Sequence, residues 1–269
     1  MKKLKIVLVG LLVASTLFCL FACQPNLDNS SRQINSVNHR GYGDAPENTL
    51  AAFRLSKEMG FEMVECDVCF TKDNKAVLLH DGTVNRTSNG TGSIGDLTLE
   101  EVRELDFGSW KDPLYVGEKI PTFEEFVELC VELELHPYVE VKGGATFLQT
   151  KLLVDVVDSA NLDVTWISGD KQILSWLAEL HGEDRFGLIT GIITDSDLQF
   201  LLDLSQSVDV FVDTNYLLLT DVELNNCKSY GIPIEVWTVN SQSVIESLDS
   251  YISGVTSDYL NAQTVYNNM

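Results

Sequence analysis

The run Met63-Val64-Glu65-Cys66-Asp67-Val68-Cys69-Phe70 is rich in β-forming residues, yet its period-two alternation puts two carboxylates, Glu65 and Asp67, on the same face. Two acids side by side on a buried strand repel each other and lose hydration, so the pair calls for a cation. Its surroundings say that the strand is buried. Outward from it, further β-rich runs occupy 34–38, 138–142, 164–167, 186–189, 208–212, 234–239 and 254–256. Between them, apolar residues recur at three- and four-residue spacing over 49–59, 122–133, 147–159, 171–180, 195–204, 221–230 and 241–248. This β/α alternation predicts the α/β class, as a single closed (β/α)8 barrel of the TIM type rather than an open doubly wound sheet. No glycine-rich nucleotide fingerprint follows the first run. One unit breaks the rhythm: about 71–121 holds a further strand-like run at 76–80 and a Gly- and Asp-rich stretch. It is expected to be a small insertion after the second strand, on the rim where barrel loops build active sites.

The third run repeats the anomaly of the second. Tyr138, Glu140 and Lys142 share one face, and Val139 and Val141 take the other, which suits a packed layer. Glu140 can complete a site with Glu65 and Asp67, and three carboxylates suit calcium or magnesium better than zinc. A Glu140–Lys142 ion-pair ladder without metal is the competing reading. His39 and His80 stand at strand ends, followed by Arg40 and Asp81. Imidazoles suit proton transfer near neutral pH, and Arg40 and Lys142 suit a phosphate. His136 and His181 fall in apparent αβ connections on the opposite rim, where structural roles are expected. Trp237 ends the seventh run, where an aromatic lines a pocket about as often as it simply packs.

Composition narrows the partners. The 269 residues are 45% hydrophobic and 22% charged, ordinary for a folded protein. Asp and Glu number 40 against 18 Lys and Arg, with no basic cluster, which argues against nucleic acid. Residues 1–23 carry Lys2, Lys3 and Lys5 and then an apolar run from Ile6 to Ala22, the pattern of an export signal. The run ends in Leu20-Phe21-Ala22-Cys23 instead of basic stop-transfer residues, resembling a bacterial lipoprotein box with Cys23 as the lipidated residue. The polar stretch 24–33 then reads as a tether, and 34–269 as the catalytic domain. The expected location is the bacterial cell envelope, with the enzyme lipid-anchored to a membrane. Cys66, Cys69, Cys130 and Cys227 are expected to be buried free thiols, since Cys66 and Cys69 lie three apart on a strand and so face opposite ways.

His39-Arg40-Gly41, Pro46-Glu47-Asn48-Thr49, Glu65-x-Asp67 and His80-Asp81 together resemble the glycerophosphodiester phosphodiesterase family. Arg86-Thr87 with Gly90-x-Gly92, Ile120-Pro121-Thr122, Glu140-x-Lys142 and Trp237-Thr238-Val239-Asn240 extend the resemblance, in family order, over roughly 34–262. The resemblance implies a β/α barrel with an insertion after the second strand, and metal-dependent hydrolysis of glycerophosphodiesters to an alcohol and glycerol 3-phosphate. By matched position it implies His39 and His80 as general acid and base, and Glu65, Asp67 and Glu140 as ligands of one divalent cation, calcium or magnesium. Arg40 and Lys142 would hold the phosphate, Glu47 would lie near the metal or the glycerol hydroxyls, and Trp237 is a further candidate for the substrate pocket. The closing stretch Gly254-Val255-Thr256-Ser257-Asp258-Tyr259-Leu260 departs from the family pattern, which weakens any role for Asp258. Phospholipase D-like or C-like action on a lysophospholipid or phosphoinositide is the rival chemistry, and an apolar channel beside Trp237 would favour it. A non-catalytic, lipid-tethered binding protein is the other rival, although it has no use for two proton-transfer groups.

Overall fold

A computed structural model describes residues 32–269. The export signal, Cys23 and all but the last two residues of the tether lie outside the described residues. In chain order the elements are β1 (Asn35–Asn38), α1 (Leu50–Glu58), β2 (Met63–Phe70), β3 (Ala76–Leu78), α2 (Leu99–Arg103) and α3 (Phe123–Leu133). They continue with β4 (His136–Val141), α4 (Phe147–Ala160), β5 (Thr165–Ser168), α5 (Lys171–Leu180), β6 (Arg185–Thr190) and α6 (Asp195–Leu204). The last are β7 (Asp209–Asn215), α7 (Asp221–Tyr230), β8 (Ile234–Trp237), α8 (Gln242–Ser247), β9 (Ile252–Ser257) and α9 (Ala262–Asn267). The sheet runs β1-β9-β8-β7-β6-β5-β4-β2, and β1 also pairs with β2, so eight parallel strands close on themselves. Strand β3 hangs on β2 as an antiparallel hairpin partner outside the ring.

Local signals explain why helices begin where they do. Thr122, Thr146, Thr194 and Thr220 each accept a hydrogen bond from the backbone three residues on, while the Glu, Gln or Asp there returns to the threonine's own N–H. These capping boxes start the helices that follow β3, β4, β6 and β7. Each helix lays its apolar stripe on the outward faces of the strands, in one core that includes Val64, Cys66, Val139, Trp166, Phe186 and Val212.

The inward faces carry a different chemistry. At the lower end Arg185 pairs with Glu235 Oε1 at 2.5 Å, Asn35 donates to the same oxygen at 2.8 Å, and Tyr138 OH accepts from both Arg185 and Asn35. The guanidinium also lies 4.0 Å above the Phe211 ring. Val37, Tyr138, Ile167 and Phe211 pack across the barrel in a buried layer. Gly187 makes that layer possible, because a Cβ there would stand 2.4 Å from the Phe211 ring.

The insertion has its own small core of Cys69, Val77, Leu79, Val84, Ile94, Val102, Phe107 and Ile120. Cys66 and Cys69 thus belong to separate clusters, and all four cysteines of the described residues are buried and unpaired. Several boundaries differ from expectation. His136 is not in a connection but opens β4, 2.9 Å from Thr165 Oγ1, and Lys142 falls just beyond the strand's end. Strand β7 runs on to Asn215, three residues past the predicted 212, and α2 and α9 were not anticipated at all. His181 is structural as expected, 2.6 Å from Asp184, which also accepts from the fully buried Trp166. No helix among the described residues is long and apolar enough to cross a membrane.

Candidate active site

The chain leaves β1 through His39, Arg40 and Gly41, and the last two adopt left-handed backbone conformations. Gly41 is required twice over: its φ is +82°, and a Cβ there would stand 2.5 Å from the Cβ of Ala52. The tight turn brings the Arg40 N–H to Glu65 Oε2 at 3.0 Å. Six residues later, the segment Pro46-Glu47-Asn48-Thr49 uses each polar side chain separately. Thr49 caps α1, Asn48 donates to Asp67 Oδ2 at 2.7 Å and accepts from the Asp67 N–H, and Glu47 accepts from Arg40 and Arg86.

Glu65, Asp67 and Glu140 converge at the mouth. Each offers a carboxylate oxygen within 4.8 Å of the others, with Glu65 and Asp67 buried and Glu140 half-buried. Asp67 and Glu140 are register partners on adjacent strands, as the period-two reading requires. The set is all oxygen, the donor type that calcium and magnesium take. The cationic groups beside it are Lys142, whose Nζ lies 2.6 Å from Asp67 and 2.7 Å from Glu140, and Arg40, 3.2 Å from Asp67. The Glu140–Lys142 ion pair of the competing reading is thus present, and the all-oxygen carboxylate set beside it could hold a divalent cation.

Burial sets the protonation of the cluster. It pushes Glu65 well above the usual carboxylate range, with Asp67 adding to the effect, and raises Glu140 to about 7. Burial also pushes Asp67 upward, but Lys142, Arg40 and His80 outweigh it and hold that carboxyl below its ordinary value. Asp67 is therefore the acid of the three that is held ionised.

Each histidine is held at Nδ1 by an aspartate. His39 lies 2.7 Å from Asp258 Oδ1, and the Asn240 side chain clamps Asp258 by donating to Oδ2 at 2.5 Å and accepting from the Asp258 backbone N–H at 2.9 Å. His80 lies 2.8 Å from Asp81 Oδ1, which Arg86 also contacts, and Arg86 reaches on to Glu47. A carboxylate at Nδ1 assigns the proton to that nitrogen and leaves Nε2 as the free ring nitrogen. Burial lowers His80 despite the two aspartates beside it, Asp67 and Asp81.

A cavity of about 170 Å³ is lined by His39, Arg40, Glu65, His80, Glu140, Lys142 and Trp237, with Ile167, Ile189, Asp213 and Thr256 completing the wall. A second cavity, of about 230 Å³, shares His39 and Arg40 and runs between Glu47, Trp110, Lys111, Asp258 and Tyr259. Of the catalytic, metal and substrate residues expected from sequence, all but Glu47 and Asp67 line the first cavity. Glu47 lines the second, and Asp67 is buried in contact with Arg40 and Lys142, which line the first. Asp258, whose role the sequence pattern weakens, is the partner of His39. The signal for it was its place just past the last strand, with Asn240 just past the strand before. Asp213 was also missed, because it lies just past the predicted end of its strand at 212, which in fact runs to Asn215.

Residues 39–182 match the family model described as the Glycerophosphoryl diester phosphodiesterase family. YhdW of Bacillus subtilis (strain 168), provisionally named a glycerophosphodiester phosphodiesterase, is 32% identical over 240 residues, 83% of this chain and 93% of its own length. A glycerophosphodiester phosphodiesterase of Caldanaerobacter subterraneus is 29% identical over 230 residues, 82% of this chain and 93% of its own length. Among solved structures, an Oleispira antarctica phosphodiesterase in complex with the product sn-glycerol-3-phosphate has a TM-score of 0.81 at 26% identity, covering 88% of this chain and 98% of that one.

Proposed function

Since this chain belongs to the glycerophosphodiester phosphodiesterase family, we propose that it hydrolyses glycerophosphodiesters by paired histidines working beside a divalent cation. The observation that supports the mechanism is one cavity lined by two aspartate-held imidazoles, two cations and two of the three clustered carboxylates. Glu65, Asp67 and Glu140 would hold calcium or magnesium. When bound, the ion offsets negative charge on the phosphoryl oxygens as the transition state forms. Arg40 and Lys142 serve the same end, turning from their carboxylates toward the phosphate.

The proton traffic falls to the histidines. Nε2 of one ring takes the proton of the attacking oxygen as that oxygen bonds to phosphorus. The other ring, protonated, gives its proton to the leaving alkoxide as the P–O bond to the alcohol breaks. Asp258 and Asp81 hold the rings in position and stabilise each imidazolium. Glu47 bridges Arg40 and Arg86 and so sets the angle at which Arg40 reaches the substrate.

The form of the cavity supports a short substrate on this side. Beside Trp237 it is small, and the packed layer beneath closes it, whereas a lysophospholipid tail needs an open apolar channel there. The test is a panel of glycerophosphocholine, glycerophosphoethanolamine and lysophospholipids assayed after chelation and after return of calcium or magnesium. Turnover of the glycerophosphodiesters that vanishes on chelation and returns with the ion is the expected result. Full activity in the chelator, or activity confined to lysophospholipids, would overturn the reading.

The export signal and Cys23 support a lipid-anchored enzyme of the bacterial cell envelope. Replacing Cys23 by Ser is expected to move the protein from the membrane fraction to the soluble one. Unchanged fractionation would remove the anchor.

A further inference from the structure

Strand β7 places an acid inside the barrel that the mechanism above does not use. Asp213 is 5% exposed, faces inward between its register partners Ile189 and Glu235, and lines the catalytic cavity. Its Oδ1 is buried and makes no hydrogen bond. Such an atom has lost its hydration with nothing in return unless something supplies a partner. The nearby guanidinium does not. Arg185 is taken up by Glu235, Tyr138 and Asp209 in the ring below.

Position excludes two other uses. From β2 to β7 is four strands in either direction round the ring, so Asp213 stands across the barrel from Glu65 and Asp67. It is absent from the group of carboxylates close enough to share an ion. Nor does it touch either histidine, each of which has its own aspartate. What it does face is the part of the cavity walled by Ile167, Ile189 and Trp237, away from the charged side. Burial, with Glu235 and Glu140 adding to it, pushes the Asp213 carboxyl well above the ordinary carboxylate range. A protonated carboxyl both donates and accepts, as an alcohol does.

We infer that Asp213 is a specificity-determining residue that hydrogen-bonds a hydroxyl of the substrate's glycerol moiety, with the phosphoryl group held at the opposite wall. The assignment rests on the proposed phosphodiesterase reading and deepens it. It makes the enzyme a reader of free glycerol hydroxyls, so diesters whose hydroxyls are acylated or missing lose the contact. A site built to bond a hydroxyl discriminates strongly against an analogue that lacks it, because its own polar group is then left unpaired.

The test compares wild type, Asp213→Asn and Asp213→Leu on glycerophosphocholine and on bis(p-nitrophenyl) phosphate, a diester without hydroxyls. Asp213→Leu is expected to lower kcat/KM on glycerophosphocholine by about 10²-fold while leaving the hydroxyl-free diester within about threefold. Inhibition by sn-glycerol 3-phosphate should weaken in parallel, and inhibition by inorganic phosphate should not. Asp213→Asn keeps the shape and the hydrogen-bonding groups, so it should fold as wild type does and lie between the two, again with the loss confined to glycerol-bearing ligands. Equal losses on both diesters, or no loss on either, would overturn the assignment, as would a weakened calcium or magnesium titration in Asp213→Asn. A wild type inert on every glycerophosphodiester would overturn the parent reading and this one together.

Discussion

Replacing His39 or His80 by alanine is expected to lower kcat by about 10²- to 10⁴-fold in each case, while circular dichroism and the thermal midpoint stay near those of wild type. The size follows from the task, since each ring moves one proton in the transition state. The stability expectation follows from position: both rings border the cavity and are half-buried, so neither holds the core together. Combining the substitutions should cost less than the product of the single losses, because once one ring is gone the other no longer acts in concert with it. Steady-state kinetics on glycerophosphocholine give the answer. Activity within a few-fold of wild type in either variant would take that ring out of the mechanism.

The second large effect lies in the carboxylate cluster. Glu140→Ala should weaken binding of calcium or magnesium by at least about 10- to 100-fold, the range seen when even an outer partner of a ligand is lost. Isothermal titration of the purified protein measures it directly, and an unchanged isotherm would show that the ion sits elsewhere. Glu140 is the cleaner member to remove. Asp67 is fully buried between Arg40 and Lys142, so its loss leaves Arg40 with Glu47 and Lys142 with Glu140 as their remaining carboxylates and disturbs the packed end of β2 as well as the ion site.

The sequence reveals the barrel and much of its mouth because the relevant signals are periodic or local. Alternation on β2 and β4 exposed Glu65, Asp67 and Glu140 as acids on faces that should be apolar, and the threonine capping boxes mark where most helices begin. Other partners were hidden by distance along the chain. Arg86 meets Glu47 across 39 residues, and His39 meets Asp258 across 219; no window of sequence contains either pair. Asp213 was hidden differently. A lone Asp after Val-Phe-Val reads as the end of a strand, and only the register with Ile189 and Glu235 shows the strand continuing past it.

The polar raft of Arg185, Glu235, Tyr138 and Asn35, with the Phe211 ring stacked on its guanidinium, turns the barrel into a blind well. Whatever enters by the top must depart by the top. Both products share that one opening, so whichever fragment is bound deeper follows only after the shallower one has cleared. Turnover is thereby ordered by depth, and a deep fragment that lingers keeps the next molecule waiting outside.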